Sequence, residues 1–323
     1  MTLALQLLSY NGSQYLPVLF DSLRRQTDHD WHLAVLENST VFEEKRKSLA
    51  FFASCQDLPF TFASSETNLG FAGGHQRLFE QHAADIVFLV NQDAILEPDF
   101  IVRVRSYLET HADVGAATGK ILRWDWNKEG RPETQAVVDS LGLVRSATGK
   151  VTDSATGMPD LRVGRDSVPV FGISGCLPFY RRSAILDASH DGHLFDPAYG
   201  SYKEDVDLAY RLFRRGWKAV VLPEAVAYHQ RSFRQSLLHR GTSPIFELFS
   251  YRNHWWNLLV HLTLRDLVRD AWAVVPFELV KVVFYLVKCP SVLRDAWKQT
   301  RARWPSLLAK RRALRKKDLR YAP

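Results

Sequence analysis

Asp93 closes the run Asp85-Ile-Val-Phe-Leu-Val-Asn-Gln-Asp-Ala94, in which five consecutive apolar residues give way to polar ones. A carboxylate at the carboxyl end of such a strand can hold a divalent metal, Mg2+ or Mn2+, together with phosphate oxygens of a ligand. Far along the chain comes Tyr202-Lys-Glu-Asp-Val-Asp-Leu208, with three acids in four residues at the start of a helical pattern. Acids in a first turn complement the helix dipole, but a cap needs fewer than three. Asp205 shares a helical stripe with Leu208, Ala209 and Leu212, which turns it inward. A half-buried carboxylate with a raised pKa suits a proton-accepting base. Metal at the first acid and base at the second would serve metal-assisted transfer from a nucleotide-linked donor to a hydroxyl.

Two further segments carry polar chemistry. In Asn68-Leu-Gly-Phe-Ala-Gly-Gly74 the glycines allow close backbone approach, and the helix that follows offers free N–H groups. The spacing matches neither a Walker loop nor a dinucleotide fingerprint. His229 ends the strand-like Val220-Val-Leu-Pro-Glu-Ala-Val-Ala-Tyr-His229. A single histidine is more often structural than ligating, but the neighbouring Arg231 and the preceding acids favour a metal or phosphate role.

These residues need a scaffold that brings strand ends together. Leu3–Ser9, Trp31–Leu36, Phe60–Ala63 and Ile86–Val90 read as strands. Leu16–Gln26, Phe42–Phe52, Gly73-Gly74 to His82, and Pro98–His111 read as helices between and after them. The alternation predicts an α/β fold with an open, mainly parallel central sheet and helices on both faces. Ligands of such sheets sit outside the carboxyl ends of the strands, where Asn11, Glu37 and Asp93 fall. Residues 124–169 are rich in Gly, Thr, Asp and Pro and predict a hairpin or loop excursion that covers a site or shapes an acceptor pocket. Its strand-like pieces are Ala136–Val138 and Leu141–Val144. Order resumes at Val168-Pro-Val-Phe-Gly-Ile-Ser-Gly-Cys176, then come a helix from Glu204 to Arg215, stopped by Gly216, and a strand from Trp217. Beyond Pro244 the chain reads as helical. The expected organisation is a domain over 1–243 and a basic amphipathic helical extension over 244–323.

The chain has 323 residues, 46% of them hydrophobic and 24% charged, enough for a sizeable core. Three widely spaced cysteines, Cys55, Cys176 and Cys289, suit a reducing compartment and suggest neither a disulfide framework nor a zinc site. The N-terminus lacks the basic region and small-residue cleavage site of a signal peptide. The net charge of +7 is a property of the tail: residues 251–323 carry +11, the rest −4. Tryptophans and long apolar runs accompany those charges, which favours an anionic membrane surface over nucleic acid. Ala271–Val287 is strongly apolar but short for a span and includes Pro276, Glu278 and Lys281, so a helix in the interface or a re-entrant pair is expected.

Taken in order, Asn68-Leu-Gly-Phe-Ala-Gly-Gly74, Asn91-Gln-Asp-Ala94, Phe195-Asp196 with Lys203-Glu-Asp-Val-Asp-Leu208, and Gly216-Trp217 before a strand ending in His229 resemble glycosyltransferase family 2 enzymes of GT-A fold. The likeness covers about residues 1–260 and is nearest the rhamnosyltransferase-like branch that builds bacterial surface polysaccharides. It implies a nucleotide pocket lined by Tyr10 and Asn11, with Glu37 in place of the family's usual aspartate on the base. Asn68, Gly70 and Gly74 would approach the nucleotide sugar and diphosphate, beside Asn91 and Gln92. Asp93 and His229 would bind the metal, with Asn91 standing at the first acid of a reduced Asp-x-Asp motif. Asp205 would be the catalytic base and Glu204 would position the acceptor or the base. Ser174, Gly175 and Cys176 would lie beside donor sugar and acceptor. Arg252-Asn253 resembles a motif after the catalytic domain, with its role open.

The resemblance implies an inverting displacement from a nucleotide-diphosphate sugar, dTDP-rhamnose first, to a glycan or lipid-linked acceptor. A UDP-hexose or galactofuranose donor is the alternative. The expected setting is peripheral, on the cytoplasmic face of the bacterial inner membrane, with a soluble cytoplasmic enzyme as the other case and a homodimer left open. Two readings compete. A nucleotidyltransferase would want a basic loop near the first strand, and Tyr10-Asn-Gly-Ser-Gln14 has no Lys or Arg. A non-catalytic sugar-nucleotide-binding protein would explain Asn91 and Glu37, but not the intact Glu-Asp-Val-Asp and His229.

Overall fold

The computed structural model describes residues 1–55, 57–160, 164, 166–230, 244–316 and 318. Strand β1 (Leu3–Ser9) lies inside the sheet and is buried on both faces, as a run that is apolar but for Gln6 and Ser9 predicts. After it come α1 (Leu16–Arg24), β2 (His32–Glu37), α2 (Phe42–Ser54), β3 (Phe60–Ser64), α3 (Gly70–Gln81) and β4 (Ile86–Asn91). β3, β2, β1 and β4 pair in parallel in that spatial order, so their carboxyl ends open on one edge. α1 buries Leu16, Leu19, Phe20 and Leu23, the face its spacing predicts. α3 begins at Gly70 rather than at Gly73-Gly74.

The other half of the sheet is mixed. The chain continues through β5 (Ala94–Leu96), α4 (Phe100–Thr110), β6 (Val114–Trp126), β7 (Pro132–Ser140), β8 (Leu143–Arg145), β9 (Val151–Asp153), β10 (Val168–Val170), β11 (Phe179–Arg181), α5 (Arg182–Ala188), α6 (Glu204–Arg214) and β12 (Lys218–His229), and of these strands all but β8 and β9 join the sheet. β11 runs antiparallel between β4 and β6, and β12 runs parallel to β6. β5 and β10 add antiparallel to β12. The 124–169 excursion is a long β6–β7 hairpin followed by a separate β8–β9 ribbon. β6 starts ten residues before the excursion, at positions the sequence reading leaves unassigned. Its first half is Gly115-Ala-Ala-Thr-Gly119. A methyl at Gly119 would collide with the Ala225 carbonyl and stand 2.5 Å from the Phe100 ring, so close packing demands small residues and erases the hydrophobic signal.

The C-terminal part is α7 (Pro244–His261), α8 (Leu264–Lys288), α9 (Pro290–Ala302) and α10 (Trp304–Lys316). Among the described residues no helix is long and apolar enough to cross a membrane. Trp256, Val260, Leu307 and Leu314 share one apolar cluster with Val87, Leu89 and Tyr180 of the sheet. Asp207 of α6 adds a buried polar tie. Its carboxylate meets Arg211 Nε at 2.9 Å, His261 Nε2 at 2.8 Å and Lys310 Nζ at 3.0 Å, so α6, α7 and α10 converge on one charge.

Candidate active site

The carboxyl ends of β4 and β12, the starts of α3 and α6, and the β6–β9 excursion enclose a cavity of about 1100 Å3. Asp93 and His229 stand together on one wall, with Asp93 Oδ1 3.3 Å from His229 Nε2. The Asp93 carbonyl accepts from Trp124 Nε1 of β6 at 2.8 Å and from the Gln230 amide at 3.0 Å, which fixes the turn after β4. Asp139 of β7, wholly buried, lies 3.1 Å from His229 Nδ1 and leaves Nε2 facing the cavity. Burial opposes charge on this imidazole, but the Asp93 and Asp139 carboxylates on its two nitrogens outweigh it and hold its pKa well above the usual value. Arg123 of β6 lines the same wall.

Among the described residues no three His, Cys, Asp or Glu side chains are arranged to hold a metal ion. Asp93 and His229 offer two donor atoms of the right kind. A Mg2+ or Mn2+ there would draw its other ligands from water and diphosphate, the common pattern for such ions. Arg231 lies outside the described residues.

Across the cavity, Asp205 is half-buried in the first turn of α6. Its Oδ2 accepts from the Gly175 amide at 2.9 Å and its Oδ1 from the Val206 amide at 2.7 Å. Burial raises its pKa, partly offset by Lys203 and the Gly175 amide. Glu204 beside it is raised well above the carboxylate range by burial and by the Asp205 charge. Its Oε2 has no hydrogen-bond partner among the described residues. Ser174, Gly175 and Cys176 line the cavity next to Asp205, and burial keeps Cys176 a neutral thiol.

Tyr10, Asn68, Gly70, Asn91 and Gln92 also line the cavity. Gln92 is committed to Tyr10: it accepts from the Tyr10 amide at 2.9 Å and donates to the Tyr10 carbonyl at 2.8 Å. Asn91 Nδ2 approaches His229 Nε2 at 3.4 Å. Gly70 has φ +70°, and a methyl on it would stand 2.5 Å from the Gly200 carbonyl oxygen. Three expected contacts lie off the cavity. Glu37 is fully buried, and its Oε1 takes the Ser39 amide at 2.7 Å, so the longer side chain folds onto its own loop. Asn11 accepts the Thr40 and Val41 amides and shapes the same loop. Gly74 packs on Leu8, where a methyl would stand 2.5 Å from Cδ1. The cavity-lining side chain on the β2 loop is Asn38, which bonds Asn68 Oδ1 at 2.9 Å and the Leu69 amide at 2.9 Å.

Sequence reasoning misses Asn38, Arg123, Trp124 and Asp139. Asp139 carries a usable signal, since it follows the apolar Ala136–Val138 as Asp93 follows β4. Arg123 and Trp124 come from the strand concealed by its small residues.

The family model for glycosyltransferase-like family 2 matches residues 60–243. The amylovoran biosynthesis glycosyltransferase AmsB of Erwinia amylovora is 23% identical over 263 residues, 80% of this chain and 78% of that protein. An N-acetylglucosaminyl-diphospho-decaprenol L-rhamnosyltransferase of Mycobacterium tuberculosis is 30% identical over 155 residues, 38% of this chain and 49% of that protein. Among solved structures, GalNAc-T7 with UDP, GalNAc and Mn2+ matches with a TM-score of 0.63 at 11% identity, over 80% of this chain and 48% of that one. At such identity the likeness is one of fold.

Proposed function

This chain belongs to glycosyltransferase-like family 2, and from that premise we propose an inverting transferase in which Asp205 is the base and Asp93 with His229 faces the donor diphosphate. The observation that carries the reading is Asp205 itself: a carboxylate raised by burial, oriented by the Gly175 amide, and facing the cavity that Asp93 and His229 also line. The acceptor O–H proton passes to Asp205 as its oxygen bonds the anomeric carbon. The carbon–oxygen bond to the diphosphate breaks on the opposite face, and the nucleoside diphosphate leaves with that electron pair. One displacement inverts the anomeric configuration. Asp93 and His229 would hold a divalent cation, which would neutralise diphosphate charge. Arg123 on the same wall adds a fixed positive charge, which offsets the acid missing at Asn91. Glu204, kept neutral by burial, is a donor for an acceptor oxygen.

dTDP-rhamnose is the proposed donor and a lipid-diphosphate-linked glycan the proposed acceptor, supported by the rhamnosyltransferase relative. UDP-hexoses and galactofuranose donors are the alternatives. The test is calorimetric binding of pyrimidine nucleotides and nucleotide sugars, with and without Mn2+, to wild type and Asp93→Ala, followed by transfer assays. Metal-assisted binding of one nucleotide that Asp93→Ala loses is the expected result. No binding of any nucleotide sinks the transferase reading and leaves a non-catalytic protein.

We also propose peripheral attachment to an anionic membrane, on the cytoplasmic side, through α8. From Trp272 to Val287 its exposed positions are all apolar: Trp272, Val275, Pro276, Leu279, Val280, Val283, Leu286 and Val287. Trp272 and Val287 are 75% and 74% exposed. The helix's acids, Asp266, Asp270 and Glu278, are buried against Arg145, His254 and Lys281. Its exposed charges are Arg265, Arg269 and Lys288, at the two ends. A second copy packed on this face would set basic ends together, whereas anionic headgroups neutralise them.

A further inference from the structure

We propose that Arg252, Asn253 and Asn257 of α7 form a positioning clamp that holds the loop before α6 in a strained conformation and so aims Asp205 at the acceptor. The proposal rests on Asp205 being the base and assigns the Arg252-Asn253 pair a role. The loop in question is 198–203. Gly200, Tyr202 and Lys203 have φ of +70°, +70° and +69°. Glycine takes that conformation freely, but tyrosine and lysine take it only where surrounding structure enforces it. Such strain clusters where a catalytic geometry has to be held.

The enforcing contacts come from three buried side chains on one helix. Arg252 Nη2 donates to the carbonyls of Ala198 at 3.1 Å and Tyr199 at 2.8 Å. Asn253 Nδ2 lies within reach of three carbonyls, those of Tyr199 at 2.9 Å, Ser201 at 3.0 Å and Tyr202 at 2.6 Å. Asn257 Nδ2 donates to the Lys203 carbonyl at 3.0 Å and its Oδ1 accepts from the Tyr199 hydroxyl at 2.8 Å. Every carbonyl from Ala198 to Lys203 is therefore engaged, and α7 side chains serve five of the six. The sixth, Gly200, accepts from the Ala72 amide at 2.8 Å, and Ser201 Oγ takes the Phe71 amide at 3.2 Å, so the loop's far side rests on the start of α3.

The clamp is itself held rigid. Arg252 lies over the Trp256 ring at 4.3 Å and the Phe249 ring at 4.8 Å, donates through Nη1 to Gln299 of α9, and orients Asn253 Oδ1 through Nε at 2.9 Å. Arg252 and Asn257 are 5% and 3% exposed and Asn253 has no exposed surface. The loop's next residues are Glu204 and Asp205. A shift of the loop moves Asp205 off the Gly175 amide and out of line with the acceptor hydroxyl.

The test is a double-mutant cycle of Asn253→Ala with Tyr202→Gly, read by kcat, acceptor KM, nucleotide affinity, and the acid limb of the pH–rate profile. In the wild-type background Asn253→Ala should cost about 100-fold in kcat, the scale of a misplaced catalytic group, with nucleotide affinity unchanged. The acid limb should move to higher pH, because the Gly175 amide that partly offsets the effect of burial on Asp205 is displaced. In the Tyr202→Gly background, where the left-handed backbone carries no side-chain strain, the same change should cost less than about tenfold. Equal losses in both backgrounds with an unmoved acid limb overturn the clamp and leave Asn253 a packing residue. Should Asn253→Ala fail to fold, Asn257→Ala, which removes the donor to the Lys203 carbonyl and the acceptor for the Tyr199 hydroxyl, is measured in the same cycle with Lys203→Gly. Amide exchange over 200–206 separates this idea from the transferase reading, since it needs no substrate. Faster exchange there in Asn253→Ala, with β1–β4 unchanged, is expected whatever the donor sugar; unchanged exchange overturns the clamp.

Discussion

Asp205 differs from the other acids of its helix turn in where its charge goes. Asp207 faces two cations and a histidine, Glu204 is sealed by burial, and Asp205 alone is half-exposed to the cavity, with a backbone amide on each oxygen. Asp205→Asn should therefore lower kcat by about 10²–10⁴, the range for a lost general base, while nucleotide affinity stays near wild type. A base must be ionised, and burial raises this pKa, so kcat/KM should fall with acidification through a limb above about pH 4, the ordinary carboxylate value. A limb at or below that value, or an active Asp205→Asn, removes Asp205 from the role. The three residues that do the proposed chemistry were legible because each stands where an apolar pattern breaks: Asp93 after β4, His229 after β12, Asp205 at the opening of α6. Glu37 lies off the cavity, because strand position shows where a side chain starts and not where its carboxylate ends. Its Oε1 accepts the Ser39 amide two residues on, a bond set by the local turn.

At the scale of elements, α6 is the hinge between the sheet and the C-terminal helices. Burial alone would raise the Asp207 carboxyl, but Lys310 and Arg211 outweigh it and hold the pKa well below the carboxylate range. His261 is lowered by burial to about 4, so it meets Asp207 as a neutral hydrogen-bond donor at neutral pH. The sign follows: a depressed Asp207 contributes stability above its unfolded pKa of about 4 and loses it as pH falls toward the folded value. Asp207→Ala should cost about 3–5 kcal/mol by chemical denaturation at pH 7, because Arg211 would stay buried without its carboxylate and Lys310 would keep only Asp196. A cost below about 1 kcal/mol would mean that solvent reaches the cluster. The tail's net charge pointed outward when read as composition. Lys310 instead pairs with Asp207 and Asp196, and Arg311 donates to the Leu259 carbonyl, so part of that charge binds the tail to the domain. Composition counts charges without showing which are neutralised inside. The central parallel strands were readable because burial on both faces leaves unbroken apolar runs. β6 was unreadable because its tight contacts select glycine and alanine.

The whole molecule presents two faces of opposite character. One is the cavity that gathers Asp93, His229 and Asp205. The other is the uncharged stripe of α8, bounded by Arg265, Arg269 and Lys288. Wild type should cosediment with phosphatidylglycerol-containing vesicles and much less with pure phosphatidylcholine. Leu279→Glu with Val283→Glu should weaken vesicle binding by more than about tenfold and leave nucleotide affinity intact. A concentration-dependent dimer that this pair of changes abolishes, with no vesicle binding by wild type, would give the face to a second copy instead. The 198–203 loop also defines a unit of inheritance. Its carbonyls are met by side chains some fifty residues downstream, so a chimera joined near residue 243 would combine one parent's loop with the other's donors. Viable exchanges between relatives should carry α7 along with the loop, and crossover points in functional hybrids should fall beyond His261.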